Sequence, residues 1–468
     1  MGIFAIIGKE RTDVASSVYY GLYALQHRGQ ESAGIVVNDD GVFRTYKDSG
    51  LVNEVFSSER LARLGEGNMA LGQVRYGTLK TKERVNAEPI VVNHVKGRMA
   101  IATNGRLVNA DTLKRELELQ GLIFHTTSDA EIISCIITKE RLTSPSIEDA
   151  VNKAVDKLVG GYAFVVMSPQ KLVVARDPHG LHPICYGKRE NGEYVIASES
   201  CALDSVGATF VRDIDPGEIL VFSKDGIKSI KDHCGKVTEA LCVFEYIYTA
   251  RPDSIINNCA VQRARKRAGA YLAKAHPVEA DVVVGVPDSG LEAALGYAEE
   301  SGIPYGIGLI KNKYIGRTFI APGQNVREDK VRIKLNPVIN TVKGKRVVLV
   351  DDSIVRGTTC ARIVKLLRNA GAKEVHLRSS APAYLNPCYY GTDIESKESL
   401  IACNHTIEEM AKIFDVDSLG YLPLEDVTKL GEGGDCKGYC SACFDGKYPT
   451  EIPEMVTNKF DYKISENK

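Results

Sequence analysis

Apolar residues follow two rhythms along this chain. In the first half, short runs alternate apolar with polar residues or stay apolar for four or five positions, then stop at Gly, Asp, Asn or Pro. Examples are NMALGQVRY, RMAIATN, AFVVMSPQKLVVARD, EYVIASES and EILVFSKDG. Such runs predict short strands in antiparallel sheets. Two stretches with apolar spacings of three and four, VASSVYYGLYALQHRG and DAEIISCIITKERL, predict helices packed on those sheets. From about residue 255 helix and strand patterns alternate. NCAVQRARKRAGAYLAKA, SGLEAALGYAEESG and TTCARIVKLLRNAG read as helices, and DVVVGVP, KRVVLVDD and KEVHLRSSAP as buried strands. Continuous Val/Leu runs between helices require a parallel sheet covered on both faces. The polar stretch KDGIKSIKDHCGK separates the two rhythms. The expected fold is therefore an α+β unit of stacked antiparallel sheets over 1–230, followed by an α/β unit with a parallel sheet over 231–468.

Composition narrows the function. Over 468 residues, 44% hydrophobic and 25% charged is ordinary for a globular protein, and the net charge of -1 supplies no basic excess for nucleic acid or anionic lipid. No apolar run approaches the roughly 20 residues of a membrane helix, and no basic-then-apolar leader opens the chain. A cytoplasmic protein with small-molecule or protein partners is expected. Its 12 cysteines should then be thiols rather than disulfides. Cys135, Cys185, Cys201, Cys259 and Cys360 stand singly and read as buried thiols, unlike the cluster DCKGYCSACFDG.

The stretch RVVLVDDSIVRGTT carries the clearest chemistry. A buried strand delivers Asp351 and Asp352 at its C-terminal end, and the loop Ser353, Ile354, Val355, Arg356, Gly357, Thr358, Thr359 leads into a helix. Backbone N–H groups at a helix start bind phosphate, and ligands bind at the C-terminal edge of α/β sheets. The acid pair would repel a phosphate, so sugar hydroxyls or a divalent metal are its partners. A phosphorylated sugar fits both halves of the loop. The loop resembles the phosphoribosyl pyrophosphate (PRPP) signature of the phosphoribosyltransferases. That resemblance assigns Asp351 and Asp352 to ribose hydroxyls and Mg²⁺, and Ser353 to Thr359 to the 5′-phosphate. It also puts Asp288 and Ser289 on the metal–pyrophosphate side, and makes 311–324 a closing loop in which Lys311, Lys313 and Arg317 neutralise departing pyrophosphate.

Cys440 and Cys443 form a CxxC, shared by zinc sites, iron–sulfur sites and redox pairs. Further ligands could come from Cys242 or Cys388, with Cys234, Cys403 and Cys436 as alternates. FEYIY…RPDS, PCYYG and CSACFDGKYP resemble the amidophosphoribosyltransferases of purine synthesis in their iron–sulfur form. The resemblance implies a structural [4Fe-4S] cluster on Cys242, Cys388, Cys440 and Cys443, with zinc as the competing metal.

The first half resembles the same family's glutaminase domain through ALQHRGQESAGI, VRYGT, TNGRLVNA, TTSDAEII, DPHGLHP, ASES and DPGEIL. By resemblance Arg75 and Asp129 hold the glutamine α-carboxylate and α-amine, Asn104 and the Gly105 N–H form the oxyanion hole, and Arg28 borders the pocket. The family's mature chain begins Cys-Gly-Ile, and its thiolate attacks the glutamine amide. Here the run is Met1-Gly2-Ile3, and no cysteine precedes Cys135. A thioether cannot form the thioester. Other departures are Gln73 for a usual His, Gly77 for Ser, Glu88 for Gln and His182 for Arg. A misassigned start would account for Met1 alone.

The resemblance spans the chain and implies an enzyme binding PRPP and Mg²⁺, displacing pyrophosphate with ammonia to give 5-phosphoribosylamine. The glutaminase half-reaction is expected to be absent, with ammonia drawn from solution or a separate glutaminase. The competing reading is a non-catalytic regulator that senses PRPP or nucleotides and pairs with an active paralogue. A base phosphoribosyltransferase would leave the first half without a reason. Family membership further implies a homodimer or homotetramer and purine nucleotides as inhibitors.

Overall fold

The computed structural model describes residues 1–76, 84–313, 335–392, 394 and 396–452. The first half is two antiparallel sheets face to face, with helices outside. One sheet has seven strands in the order Thr209–Asp213, Cys185–Lys188, Tyr194–Ala197, Gly2–Thr12, Gly67–Arg75, Ser32–Asp39, Val42–Ser49. The other has six, in the order Gly226–Ile230, Ile219–Ser223, Lys171–Arg176, Gly160–Met167, Gly97–Leu107, Ile90–His94. Strand alternation explains the layering. Ile3, Ala5 and Ile7 join Leu71, Val165 and Leu220 between the sheets, whereas Phe4 and Ile6 pack under the helix Val14–Ala24 with Val18 and Leu22. The helices Asp129–Arg141 and Ile147–Val155 cover the outer face of the second sheet.

In the second half a parallel sheet runs Val282–Gly285, Arg346–Asp351, Glu374–Ser379, Ser418–Tyr421. Its strands are buried on both faces, under Val261–Ala275 and Leu291–Ser301 on one side and Thr358–Asn369 and Ile407–Phe414 on the other. A short parallel pair, Leu241–Cys242 with Tyr439–Cys440, brings the CxxC back to the junction between the halves. None of the helices among the described residues is long and apolar enough to cross a membrane.

Three details differ from the pattern-based reading. The helix expected from Asn258 starts at Val261, because Asn257 and Asn258 take φ of 46° and 58° and turn a hairpin between Ile255–Ile256 and Cys259–Ala260. Asparagine tolerates that left-handed backbone where branched residues do not. The helix over Val14–Ala24 gives way to a 3₁₀ turn, Gln26–Arg28, instead of continuing through it. Part of the separating polar stretch forms the edge strand Gly226–Ile230, whose exposed polar residues suit an edge.

Candidate active site

At the C-terminal end of Arg346–Asp351, Asp351 is buried and Asp352 beside it is half-buried. Burial first, and then the charge of Asp352, raises Asp351 above the usual carboxylate range; burial raises Asp352 as well. Asp352 accepts hydrogen bonds from Ser289 Oγ at 2.8 Å and Ser353 Oγ at 2.6 Å. Cys360 Sγ lies 3.5 Å from Asp351 Oδ2. Among the described residues neither acid forms an ion pair, although Arg265 lies near enough to favour the charged form of Asp352.

The loop that follows divides its labour. Ile354 is buried in the core of the parallel sheet, and the Val355 carbonyl accepts from the Ile401 N–H at 3.0 Å, so these two anchor the loop. Arg356, Thr358 and Thr359 are exposed. Gly357 caps the helix Thr358–Asn369 with φ 75°, and a Cβ there would meet Phe414 at 2.6 Å and Ile401 at 2.7 Å. Only glycine satisfies both conditions. The first N–H groups of that helix lack intrahelical acceptors and so present donors at the loop. Across the sheet edge Lys311 pairs with Asp288, and Lys313 is exposed. Arg317 lies outside the described residues.

The second constellation surrounds residue 1. Gly2 pairs with Val74, so the strand Gly67–Arg75 brings Gln73 and Arg75, two apart on one face, beside Met1. The Met1 Sδ is 3.9 Å from both Gln73 Nε2 and Arg75 Nη1. Arg28 Nε donates to the Met1 carbonyl at 3.1 Å. Asn104 is buried and its Nδ2 has no hydrogen-bond partner, while Gly105 beside it has φ 112°. Asp129 Oδ2 accepts from the Leu107 N–H at 2.7 Å, and burial raises its pKa. The residues expected around a glutamine pocket are thus gathered, with one change of role: Arg75 Nη1 donates to Glu88 Oε1 at 2.6 Å. Gly77 lies outside the described residues.

Comparisons with known proteins match both constellations. Residues 78–205 match the family model described as glutamine amidotransferase domain, and 258–412 the one described as phosphoribosyl transferase domain. An amidophosphoribosyltransferase of Methanocaldococcus jannaschii is 50% identical, with 96% of this chain and 98% of the relative aligned. The chain belongs to the amidophosphoribosyltransferase family. A Bacillus subtilis amidophosphoribosyltransferase is 47% identical over 96% of this chain and 94% of its own. The solved structure of the B. subtilis glutamine PRPP amidotransferase complexed with ADP and GMP superposes with a TM-score of 0.90 at 46% identity, covering 98% of this chain and 99% of that one. The α+β amidotransferase unit followed by an α/β phosphoribosyltransferase unit is therefore the family fold, and the protein is an enzyme of the amidophosphoribosyltransferase class in purine biosynthesis.

Within this family frame, a buried charge network that the sequence reading missed links the two halves. Arg28 donates through Nη1 to Glu199 and through Nη2 to Glu245 Oε1 at 2.6 Å. Glu199 also accepts from Ser254 Oγ at 2.7 Å and the Arg251 N–H at 2.9 Å. Against the upward push of burial, Arg28 holds both Glu199 and Glu245 below the usual carboxylate range. The only hint in the sequence was that Glu199 and Glu245 sit in family-like stretches, ASES and FEYIY. His182 adds to the network: its Nε2 lies 2.7 Å from the Tyr390 carbonyl and its Nδ1 3.7 Å from Glu245.

Beyond His182 a cavity is lined by Cys242, Cys388, Cys440 and Cys443 together with Tyr390. Burial raises the Cys440 thiol to about 12 and those of Cys242 and Cys443 well above their ordinary value. The alternates do not line it: Cys403 is exposed, and Cys234 and Cys436 lie elsewhere. Among the described residues no three His, Cys, Asp or Glu side chains converge to hold a single metal ion.

Proposed function

We propose that this family member aminates PRPP with ammonia, and that glutamine is not its nitrogen donor. The observation that carries the reading is the thioether of Met1, 3.9 Å from Gln73 and Arg75 at the head of the amidotransferase pocket. Whatever precedes this residue in the chain, the sulfur there is alkylated and has no proton to lose, so it cannot attack an amide. The phosphoribosyl edge, by contrast, retains its acids, its hydroxyls and its glycine-capped helix start.

On this reading the loop Ser353–Thr359 binds the 5′-phosphate through backbone donors, and Asp351 and Asp352 orient the ribose hydroxyls. The C1–O bond to pyrophosphate breaks as the C1–N bond to ammonia forms, and the new ammonium nitrogen loses a proton to solvent. Lys311, Lys313 and Arg317 lie in the segment that would neutralise the leaving pyrophosphate. No protein nucleophile is needed; the rate comes from alignment and charge placement. Ser289, Asp351 and Asp352 are hard oxygen donors suited to Mg²⁺, which supplies charge neutralisation to PRPP when bound. The four cysteines line one cavity, and four thiolates are the donor set that a [4Fe-4S] cluster or a zinc ion takes; the resemblance of the surrounding stretches to the iron–sulfur form favours the cluster. Such a cluster would tie the tail to the junction. A division between the units at 230/231 is supported by the end of the second sheet's last strand at Ile230. A homo-oligomer and purine-nucleotide inhibition follow the family, and a solved relative was obtained with ADP and GMP.

The test measures pyrophosphate release from PRPP and Mg²⁺ with ammonium or with glutamine. Release with ammonium alone is expected. Release with glutamine would refute the reading, and release with neither would make the chain a regulator. Anaerobic purification should yield roughly four iron and four sulfide per chain.

A further inference from the structure

The buried ion pair beside Met1 has a second consequence. Glu88 is fully buried, and both of its oxygens are saturated. Oε1 accepts from Arg75 Nη1 at 2.6 Å and Ser128 Oγ at 2.7 Å. Oε2 accepts from Gln73 Nε2 at 2.7 Å, the Thr103 N–H at 2.7 Å and Thr103 Oγ1 at 3.0 Å. Two of the four departures from the family pattern, Gln73 and Glu88, therefore touch each other, although 15 positions separate them in sequence.

From this geometry we infer that Glu88 is a permanent occupant of the carboxylate subsite: it gives Arg75 the anion that an amino-acid substrate would otherwise bring, and so excludes glutamine independently of residue 1. The inference rests on the assignment of Arg75 to the glutamine carboxylate. A guanidinium paired to a buried carboxylate offers an incoming carboxylate little net attraction, and the newcomer also meets the negative charge of Glu88. Glu88 cannot diffuse away, because it is part of the chain. A neutral glutamine at 88 would leave the Arg75 charge available. Gln73 completes the arrangement, since its amide donates to Glu88 and also to the Thr103 carbonyl. The other end of the pocket remains built: Asn104 Nδ2 is buried and has no partner. Glu88 holds Nη1 of Arg75, while Arg75 Nε and Asn104 Nδ2 are buried without a partner.

The two causes of lost glutamine use, the thioether and the internal carboxylate, separate experimentally. Glutamine is titrated calorimetrically into the wild-type protein, Glu88→Gln, Gln73→His/Glu88→Gln, and Met1→Cys produced behind a cleavable leader that leaves cysteine at the amino end. Glu88→Gln is expected to bind glutamine about tenfold or more tighter than wild type, and Met1→Cys no tighter than wild type. Met1→Cys binding glutamine as tightly as Glu88→Gln would overturn the inference. If Glu88→Gln does not fold, as judged by circular dichroism, Met1→Cys still decides: covalent capture of a glutamine-mimicking electrophile by that thiol, at a rate saturating with reagent, overturns it, and absence of capture supports it. Glutamine-dependent pyrophosphate release by the wild-type protein would instead refute the ammonia reading. Glutamine binding by wild type without turnover would sink only the Glu88 inference.

Discussion

The two pockets of this chain hold their charges in opposite ways. Around residue 1 the buried arginines have protein partners: Arg75 is on Glu88, and Arg28 is on Glu199 and Glu245, while Asp129 accepts from the Leu107 N–H. At the phosphoribosyl edge Asp351 and Asp352 stand side by side without an ion-pair partner among the described residues; burial raises the pKa of both, and the charge of Asp352 raises Asp351 further. Uncompensated charge is costly in a protein interior and persists where a ligand completes it. Internally neutralised charge serves the fold. The contrast separates a site still equipped for a cationic or hydroxylated ligand from one whose electrostatics have been absorbed into the structure.

The largest expected effect tests the absorbed side. Arg28→Met leaves Glu199 and Glu245 buried without their cation and should destabilise the protein by about 3–5 kcal/mol, read from urea denaturation near neutral pH. A loss below about 1 kcal/mol would mean that the network behaves like an exposed pair. Asp352→Asn tests the other side with two readouts of opposite sign. Ammonium-driven pyrophosphate release should fall by about 100-fold or more. Stability should rise by about 0.5–2 kcal/mol, because the burial penalty of a carboxylate is removed. A stability loss together with the activity loss would erase the distinction between the pockets.

A smaller effect is expected at the loop. Gly357→Ala forces a side chain into a backbone with φ 75° and against Phe414 at 2.6 Å. A cost of about 1–3 kcal/mol should appear mainly as a raised KM for PRPP. An unchanged KM would detach the helix start from phosphate binding. The smallest effect is a pH signature. Glu199 and Glu245 have lowered pKa values in the folded state, so their stabilisation is complete above about 4.5 and is lost as the pH falls further. Asp351 and Asp352 are raised, first by burial, so at neutral pH the folded state holds protons that the unfolded chain has released; this costs stability, and the cost is relieved as the pH falls towards about 4. Denaturation midpoints from pH 7 to 2 should show Asp352→Asn removing the gain between pH 7 and about 4, and Glu245→Gln reducing the loss below about 4.5.

Several parts of this site were legible before any coordinates. The strand–loop–helix of 346–369 could be read because acids, glycine and hydroxyls lie within a few positions of one another, where local geometry dictates their placement. The departures at Gln73, Glu88 and His182 were legible one at a time. Their meaning was not. Arg75 read as a free partner for substrate because nothing in the spacing says that residue 88 folds back beneath it. Ile354 and Val355 belonged to the expected phosphate loop, yet one is core and the other a backbone anchor, a division set by the helices that pack on the loop.

Sequence by itself determined the two rhythms of the fold, the strand–loop–helix of 346–369 and the thioether at residue 1, since each depends on neighbouring residues or on the chemistry of a single side chain. Only the tertiary structure decided where the charges go. Arg28 meets Glu245 across 217 positions, and four cysteines from three segments line one cavity. Coulomb interaction and desolvation depend on distance and burial in space, and the packing of sheets and helices, not the order of residues, sets both.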